Sequence, residues 1–199
     1  MADTVFLNVP EEASAPALVL RPWRTEDVPA LVGIHRDPEL RHRLGAVIED
    51  GAGAERWVEE QRRGWETGER FGFAVLAAGP GAAHGGPEAH GGPEAGEGPL
   101  WGNVVLKLPG GPAGEVGYWT AAPARGRGVA PRALEALTAW AFGGSGPTGL
   151  DRLELLHQVD NRASCRVAEK SGYVLAGILP AAPPAFPRDG HLHARSRRA

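Results

Sequence analysis

Arg125-Gly126-Arg127-Gly128-Val129-Ala130-Pro131 lies between a strand-like run, Glu115–Thr120, and a helix-like run, Arg132–Phe142. Glycines two apart let the backbone turn tightly and approach a ligand with no Cβ in the way. The helix that follows presents its first N–H groups, with their partial positive charge, to whatever occupies the loop. Arg125 and Arg127 add full charges. A strand–loop–helix corner of this composition is suited to holding phosphate or pyrophosphate.

Three readings compete for the corner. The first is a plain turn with solvated arginines. The second is a dinucleotide fingerprint, which wants a third Gly or Ala where Pro131 stands and an acidic residue ending the next strand; Asp151 precedes that strand instead. Too little chain follows for a doubly wound sheet, and no Gly-Lys-Ser/Thr follows the glycines, which removes the nucleoside-triphosphate loop. The third reading comes from resemblance.

Arg125-x-x-Gly128-x-Ala130 resembles the acyl-CoA pyrophosphate loop of the GCN5-related N-acetyltransferases. Upstream, Glu115-Val-Gly117-Tyr118-Trp119 resembles a strand motif of the ribosomal-protein N-acetyltransferase branch of that superfamily. Downstream, Asn161-x-x-Ser164-x-x-Val167-Ala168-Glu169-Lys170-x-Gly172-Tyr173 resembles the same branch's helix motif. The three motifs stand in family order and spacing between Glu115 and Gly177, whereas the first hundred residues match only in coarse pattern.

The resemblance implies an acyl-CoA-dependent N-acetyltransferase with acetyl-CoA as co-substrate, in which the amine attacks the thioester directly. It implies that pantetheine pairs with backbone at Trp119 and Thr120 beside a splayed strand. The N–H groups of Gly126, Gly128, Val129 and Ala130 then hold the pyrophosphate, with Arg125 and Arg127 adding charge. Asn161 is expected both to contact pantetheine and to cap its helix. Ser164 either donates to the departing thiolate or bonds to backbone in the first turn. Glu115 and Glu154 are the candidate general bases, or else solvated strand residues.

Two positions depart from other relatives. Leu156 stands where some carry a base carboxylate, and Ala168 where many carry a tyrosine acid. Both departures keep open a rival reading, a CoA-binding regulatory or interaction protein without turnover. The base matters less for an α-amine, whose pKa of about 8 lies well below the roughly 10.4 of lysine. The branch resemblance implies a protein or peptide N-terminal amine as acceptor; a small amine or amino sugar is the alternative.

The elements that must position these residues follow from periodicity. Strands are expected at Ala17–Arg21, Phe71–Ala77, Leu100–Leu108, Arg152–Gln158 and Tyr173–Gly177, with Gly190–Arg197 as a final edge strand. On Arg152–Gln158, Leu153, Leu155 and His157 share one face and Glu154, Leu156 and Gln158 the other. Helices are expected from a Thr25 cap toward His35, over Ala54–Thr67, from Pro131 onward, and after Asn161. The result is an α/β fold. The family resemblance makes it a single-domain three-layer sandwich with a mixed, mostly antiparallel sheet splayed at the cofactor strand.

The chain has 199 residues, a net charge of −3 and one cysteine. These values suit one domain with no internal disulfide and give no electrostatic case for nucleic acid or an anionic membrane. Neither a signal peptide nor a membrane-length apolar run is visible, so the expectation is a cytoplasmic protein, monomer or homodimer. Residues 1–16 read as a mobile lead-in to an acetyltransferase domain at 17–199. Residues 79–99, with His84-Gly-Gly-Pro-Glu-Ala89 repeated as His90-Gly-Gly-Pro-Glu-Ala95, read as a disordered insertion.

Trp23, Trp57 and Trp65 either line an acceptor cleft or pack the core. Cys165 is expected as a small, half-buried helix residue with no adjacent histidine to activate it. His191 and His193 are expected at the surface, without the further ligands a metal needs. No metal is expected.

Overall fold

Between Phe71 and Ala78 the chain carries no charged or polar side chain. A strand apolar on both faces belongs in the middle of a layered structure. The computed structural model, which describes residues 5–13, 15–44, 47–79, 97–184 and 186–197, places it there. The elements run β1 (Leu7–Val9), β2 (Leu18–Pro22), α1 (Val28–Ile34), α2 (Pro38–Arg43), α3 (Gly51–Thr67), β3 (Arg70–Ala78), β4 (Glu97–Lys107), β5 (Ala113–Thr120), α4 (Val129–Phe142), β6 (Arg152–Gln158), α5 (Arg162–Lys170), β7 (Val174–Leu179) and β8 (Gly190–Ser196).

The eight strands form one sheet in the order β1-β2-β3-β4-β5-β6-β8-β7. All neighbours are antiparallel except β5 and β6. Alternation along β3 divides the core. Phe73 and Val75 pack with Leu134, Leu137 and Ala141 of α4, while Ala74 and Leu76 pack with Leu31, Leu40 and Val58 of the first three helices. Helices on both faces make the three-layer α/β sandwich that the motifs implied.

Several boundaries differ from expectation. Thr25 does not cap α1. A single 3-10 turn spans Thr25–Asp27, and the Asp27 carboxylate accepts from the Arg24 backbone N–H at 2.9 Å and from the buried Arg21 guanidinium at 2.8 Å. Helix α3 starts at Gly51 because Asp50 caps it, accepting from Gly53 N at 2.7 Å. Helix α2, too short for a periodic signal, is capped by Asp37. Within the supposed mobile lead-in, Leu7–Val9 pairs with β2, Leu7 opposite Leu20. Of the insertion expected at 79–99, residues 80–96 lie outside those described, whereas Glu97–Pro99 open strand β4.

The final strand is not an edge. β8 inserts between β6 and β7, because it pairs antiparallel with both. That insertion sets His191 directly opposite His157.

Candidate active site

Strands β5 and β6 pair in parallel only from Ala113–Val116 to Arg152–Leu155. Beyond Val116, β5 stays paired with β4, Gly117 to Val105 and Thr120 to Gly102, while β6 continues against β8 alone. The sheet therefore splays. Among the described residues, one edge of Gly117–Thr120 is left without a strand partner, a row of backbone donors and acceptors open to an extended ligand. The opening is a cleft of about 730 Å³ whose walls include Gly117–Thr120, Leu155–Gln158, the loop before α4 and the first turns of α5.

At the cleft's end the chain makes a 3-10 turn over Ala122–Ala124 and enters α4. Gly126 and Gly128 have φ of 75° and 72°, and Gly128 is the residue that caps α4. A Cβ on Gly126 would meet nothing within 4 Å, so the requirement there is the left-handed backbone and not space. Gly126, Gly128, Val129 and Ala130 all line the cleft. Successive N–H groups in this conformation at a helix start make an anion-binding concavity.

Both arginine side chains have partners within the protein. Arg125 lines the cleft, but its guanidinium pairs with Asp37 and Glu39 of the α2 start. Arg127 stacks over the Trp101 ring, 5.6 Å from its centroid, and is not in the cleft wall. The loop's capacity for an anion therefore lies first in its backbone N–H groups, while Arg125 ties the loop to α2.

Asn161 caps α5, its Oδ1 accepting from Ser164 N at 3.2 Å, and also lines the cleft. Ser164 lines the cleft too. Its Oγ accepts a hydrogen bond from the Tyr118 hydroxyl at 2.9 Å. Tyr118 is a site residue to which the motif reading gave no role. Strand alternation held the signal: Trp119 packs toward α1–α3, so Tyr118 must face the α4–α5 side. Burial pushes the Tyr118 hydroxyl up to about 12, with the Ser164 bond opposing, so the phenol stays protonated.

The two candidate bases are elsewhere. Glu115 and Glu154 are register partners in the closed part of the β5–β6 pair. Glu115 is bound to Lys107 and Glu154 to Arg152 at 2.8 Å, and neither is in the cleft wall. Leu156 is in that wall, and Ala168 is fully buried in the core. The tryptophans are core residues. Trp23 meets Trp57 edge-on at 4.8 Å and donates to Asn103 Oδ1, while Trp65 packs with Phe71, Phe73 and Trp140 in the other cluster.

Cys165 is half-buried as expected, but it has a histidine neighbour: its Sγ lies 3.3 Å from His191 Nδ1. His193 is not at the surface; it is 2% exposed. Spacing along the chain concealed both facts, because β8 is brought to α5 only by the strand insertion.

The family model described as acetyltransferase (GNAT) domain matches residues 17–174. Comparison with curated proteins gives no match. Among solved structures, a GNAT-family acetyltransferase from Bacillus anthracis superposes with a TM-score of 0.72 at 18% identity, covering 97% of this chain and 99% of the other. RimJ from Mycobacterium smegmatis, in complex with CoA-disulfide, gives 0.70 at 20% identity over 97% and 86%. A Salmonella typhimurium acetyltransferase that modifies the N-terminal serine of ribosomal protein L7/L12 gives 0.70 at 19% over 95% and 98%. The splayed sheet, the glycine loop and a family match over most of the chain converge: this protein belongs to the GNAT acetyltransferases and is an N-acetyltransferase.

Proposed function

We propose that this enzyme transfers acetyl from acetyl-CoA to a protein or peptide N-terminal α-amine within a ternary complex. The observation that carries the donor half is the splay after Val116, opening directly onto the left-handed glycine loop. Backbone at Trp119 and Thr120 pairs with pantetheine, and backbone N–H at the splay polarises the thioester carbonyl. The N–H groups of Gly126, Gly128, Val129 and Ala130 hold the pyrophosphate. With Oδ1 engaged in capping, Asn161 Nδ2 supplies a donor to pantetheine.

Ser164 Oγ–H stabilises the departing thiolate by hydrogen bond. The serine accepts from Tyr118, which sharpens its own donor. Full proton transfer from that pair is unfavourable, because a phenol at about 12 holds its proton more tightly than a thiol whose ordinary pKa is about 8.5.

The acceptor half rests on the lack, among the described residues lining the cleft, of a free carboxylate base. Asp160 is held by Arg43 and Arg188, and Glu39 by Arg125. At pH 7 an α-amine of pKa about 8 is roughly one-tenth unprotonated, against about one in 2,500 for a lysine near 10.4. A site without a strong base suits the α-amine. The Salmonella relative's N-terminal serine substrate is the same chemistry.

The test is thiol release from acetyl-CoA with peptides bearing free or blocked N-termini, polyamines and aminoglycosides. Turnover only with free N-terminal peptides is expected. Preferential turnover of a small amine would replace the acceptor assignment, and tight acetyl-CoA binding with no thiol release across the panel would overturn the enzymatic reading in favour of a CoA-binding interaction protein.

A further inference from the structure

Strands β6 and β8 are antiparallel neighbours, with His157 opposite His191 and Leu155 opposite His193. Strand positions two apart share a face. The three imidazoles therefore stand together, their centroids 5.2–6.0 Å apart. Helix α5 lays Cys165 against them. One nitrogen from each ring and the cysteine Sγ all lie within 4.8 Å of one another.

The cluster is under-satisfied as it stands. Neither ring nitrogen of His193 has a hydrogen-bond partner among the described residues, nor does Nε2 of His157. Each unpaired buried polar atom costs about 1–3 kcal/mol. A Cys165–His191 hydrogen bond accounts for one pair and leaves these three nitrogens unexplained. His157 Nδ1 lies 2.9 Å from the Gln158 carbonyl, a contact that needs an N–H on Nδ1 and leaves the lone pair on Nε2. Metal-binding histidines are oriented by just such an outer hydrogen bond.

We propose that His157, Cys165, His191 and His193 form a structural zinc site that clips β6, β8 and α5 together behind the acetyl-transfer cleft. Three imidazoles and a thiolate are a borderline-soft, four-ligand set of the kind zinc takes in closed tetrahedral sites, and carry no oxygen ligand for magnesium or calcium. Bonds of about 2.0–2.3 Å put tetrahedral ligand atoms about 3.3–3.8 Å apart. The present spread of up to 4.8 Å closes with side-chain rotations of about an ångström. Binding forms three Zn–N bonds and one Zn–S bond and releases the Cys165 thiol proton to solvent; nothing is oxidised or reduced.

The protein, dialysed against a weak chelator, is expected to retain one zinc per chain by elemental analysis. Cobalt(II) substitution is expected to give a thiolate-to-metal charge-transfer band and the intense visible absorption of a tetrahedral site. Cys165→Ser should abolish that band and weaken zinc binding roughly 100-fold or more, beyond the 10–100-fold loss that follows removal of an outer partner. His191→Gln, at a half-buried position, provides a second variant should the first fail to fold. His84→Ala with His90→Ala, in the repeats, should leave stoichiometry and spectrum unchanged. Absence of stoichiometric zinc, absence of the charge-transfer band, or retention of both in folded Cys165→Ser or His191→Gln protein would overturn the proposal.

Discussion

The Tyr118 hydroxyl donates to Ser164 Oγ at 2.9 Å, joining the middle of the splayed strand to the first turn of α5. The two residues are 46 positions apart, and the bond leaves the serine's own O–H free of that contact. A hydrogen bond to a charged group is worth about 1.5–3 kcal/mol, so Ser164→Ala should lower kcat by roughly 10–100-fold with CoA affinity little changed. Tyr118→Phe should cost less, and the double variant should cost little more than Ser164→Ala alone. Additive losses in steady-state kinetics would show that the two residues do not act as a unit.

Asn161 has two roles that substitution can separate. Asn161→Asp keeps the cap oxygen for Ser164 N but removes the amide donor, so helix stability should hold while the CoA Kd rises. Asn161→Ala should lose both and cost about 1 kcal/mol of stability besides. Equal CoA affinity of Asn161→Asp and the parent, by calorimetry, would remove the pantetheine role.

Gly128→Asp places a carboxylate at the pyrophosphate loop. Its backbone must also adopt a φ of 72°, a conformation costing a non-glycine residue about 1–2 kcal/mol. Gly128→Ala carries the same backbone cost without the charge. The expected result is a CoA affinity lost in the aspartate variant well beyond the alanine control, both remaining folded by circular dichroism. Equal affinity in the two would mean that no phosphate sits there.

Glu115→Gln and Glu154→Gln should each leave kcat close to the parent's and change stability by no more than about 0.5 kcal/mol, the range of a surface substitution. Both side chains sit in ion pairs outside the cleft wall. A fall of tenfold or more in either, with a missing basic limb in the pH–rate profile, would make that glutamate the base after all.

Alkaline stability provides a separate check on burial. Tyr118 and the core Tyr173, hydrogen-bonded to Thr138 Oγ1 at 2.7 Å, are each raised to about 12, first by burial. The unfolded chain releases these protons near pH 10, the folded chain later, so stability is complete below about pH 10 and falls as pH rises toward 12. Tm should drop across that interval, and Tyr173→Phe should flatten the decline.

The strand–glycine-loop–helix corner was legible in the chain because it is local. Gly126 and Gly128, the strand before them and the helix after them lie within one stretch of sequence, and both glycines take the left-handed backbone that the turn into α4 requires. Alternation also marked Arg152–Gln158 as a strand and put His157 on the face of Leu155. Only the tertiary structure decided what those elements bring together. The registers that shelve Glu115 and Glu154 in the closed part of the sheet, pin Arg125 to Asp37, and lay Tyr118 on Ser164 are contacts between distant segments. Above all, the insertion of β8 between β6 and β7 carries His191 and His193 to His157 and Cys165. Strand order is set by which apolar faces the whole sheet can bury, a global sum that no local window contains.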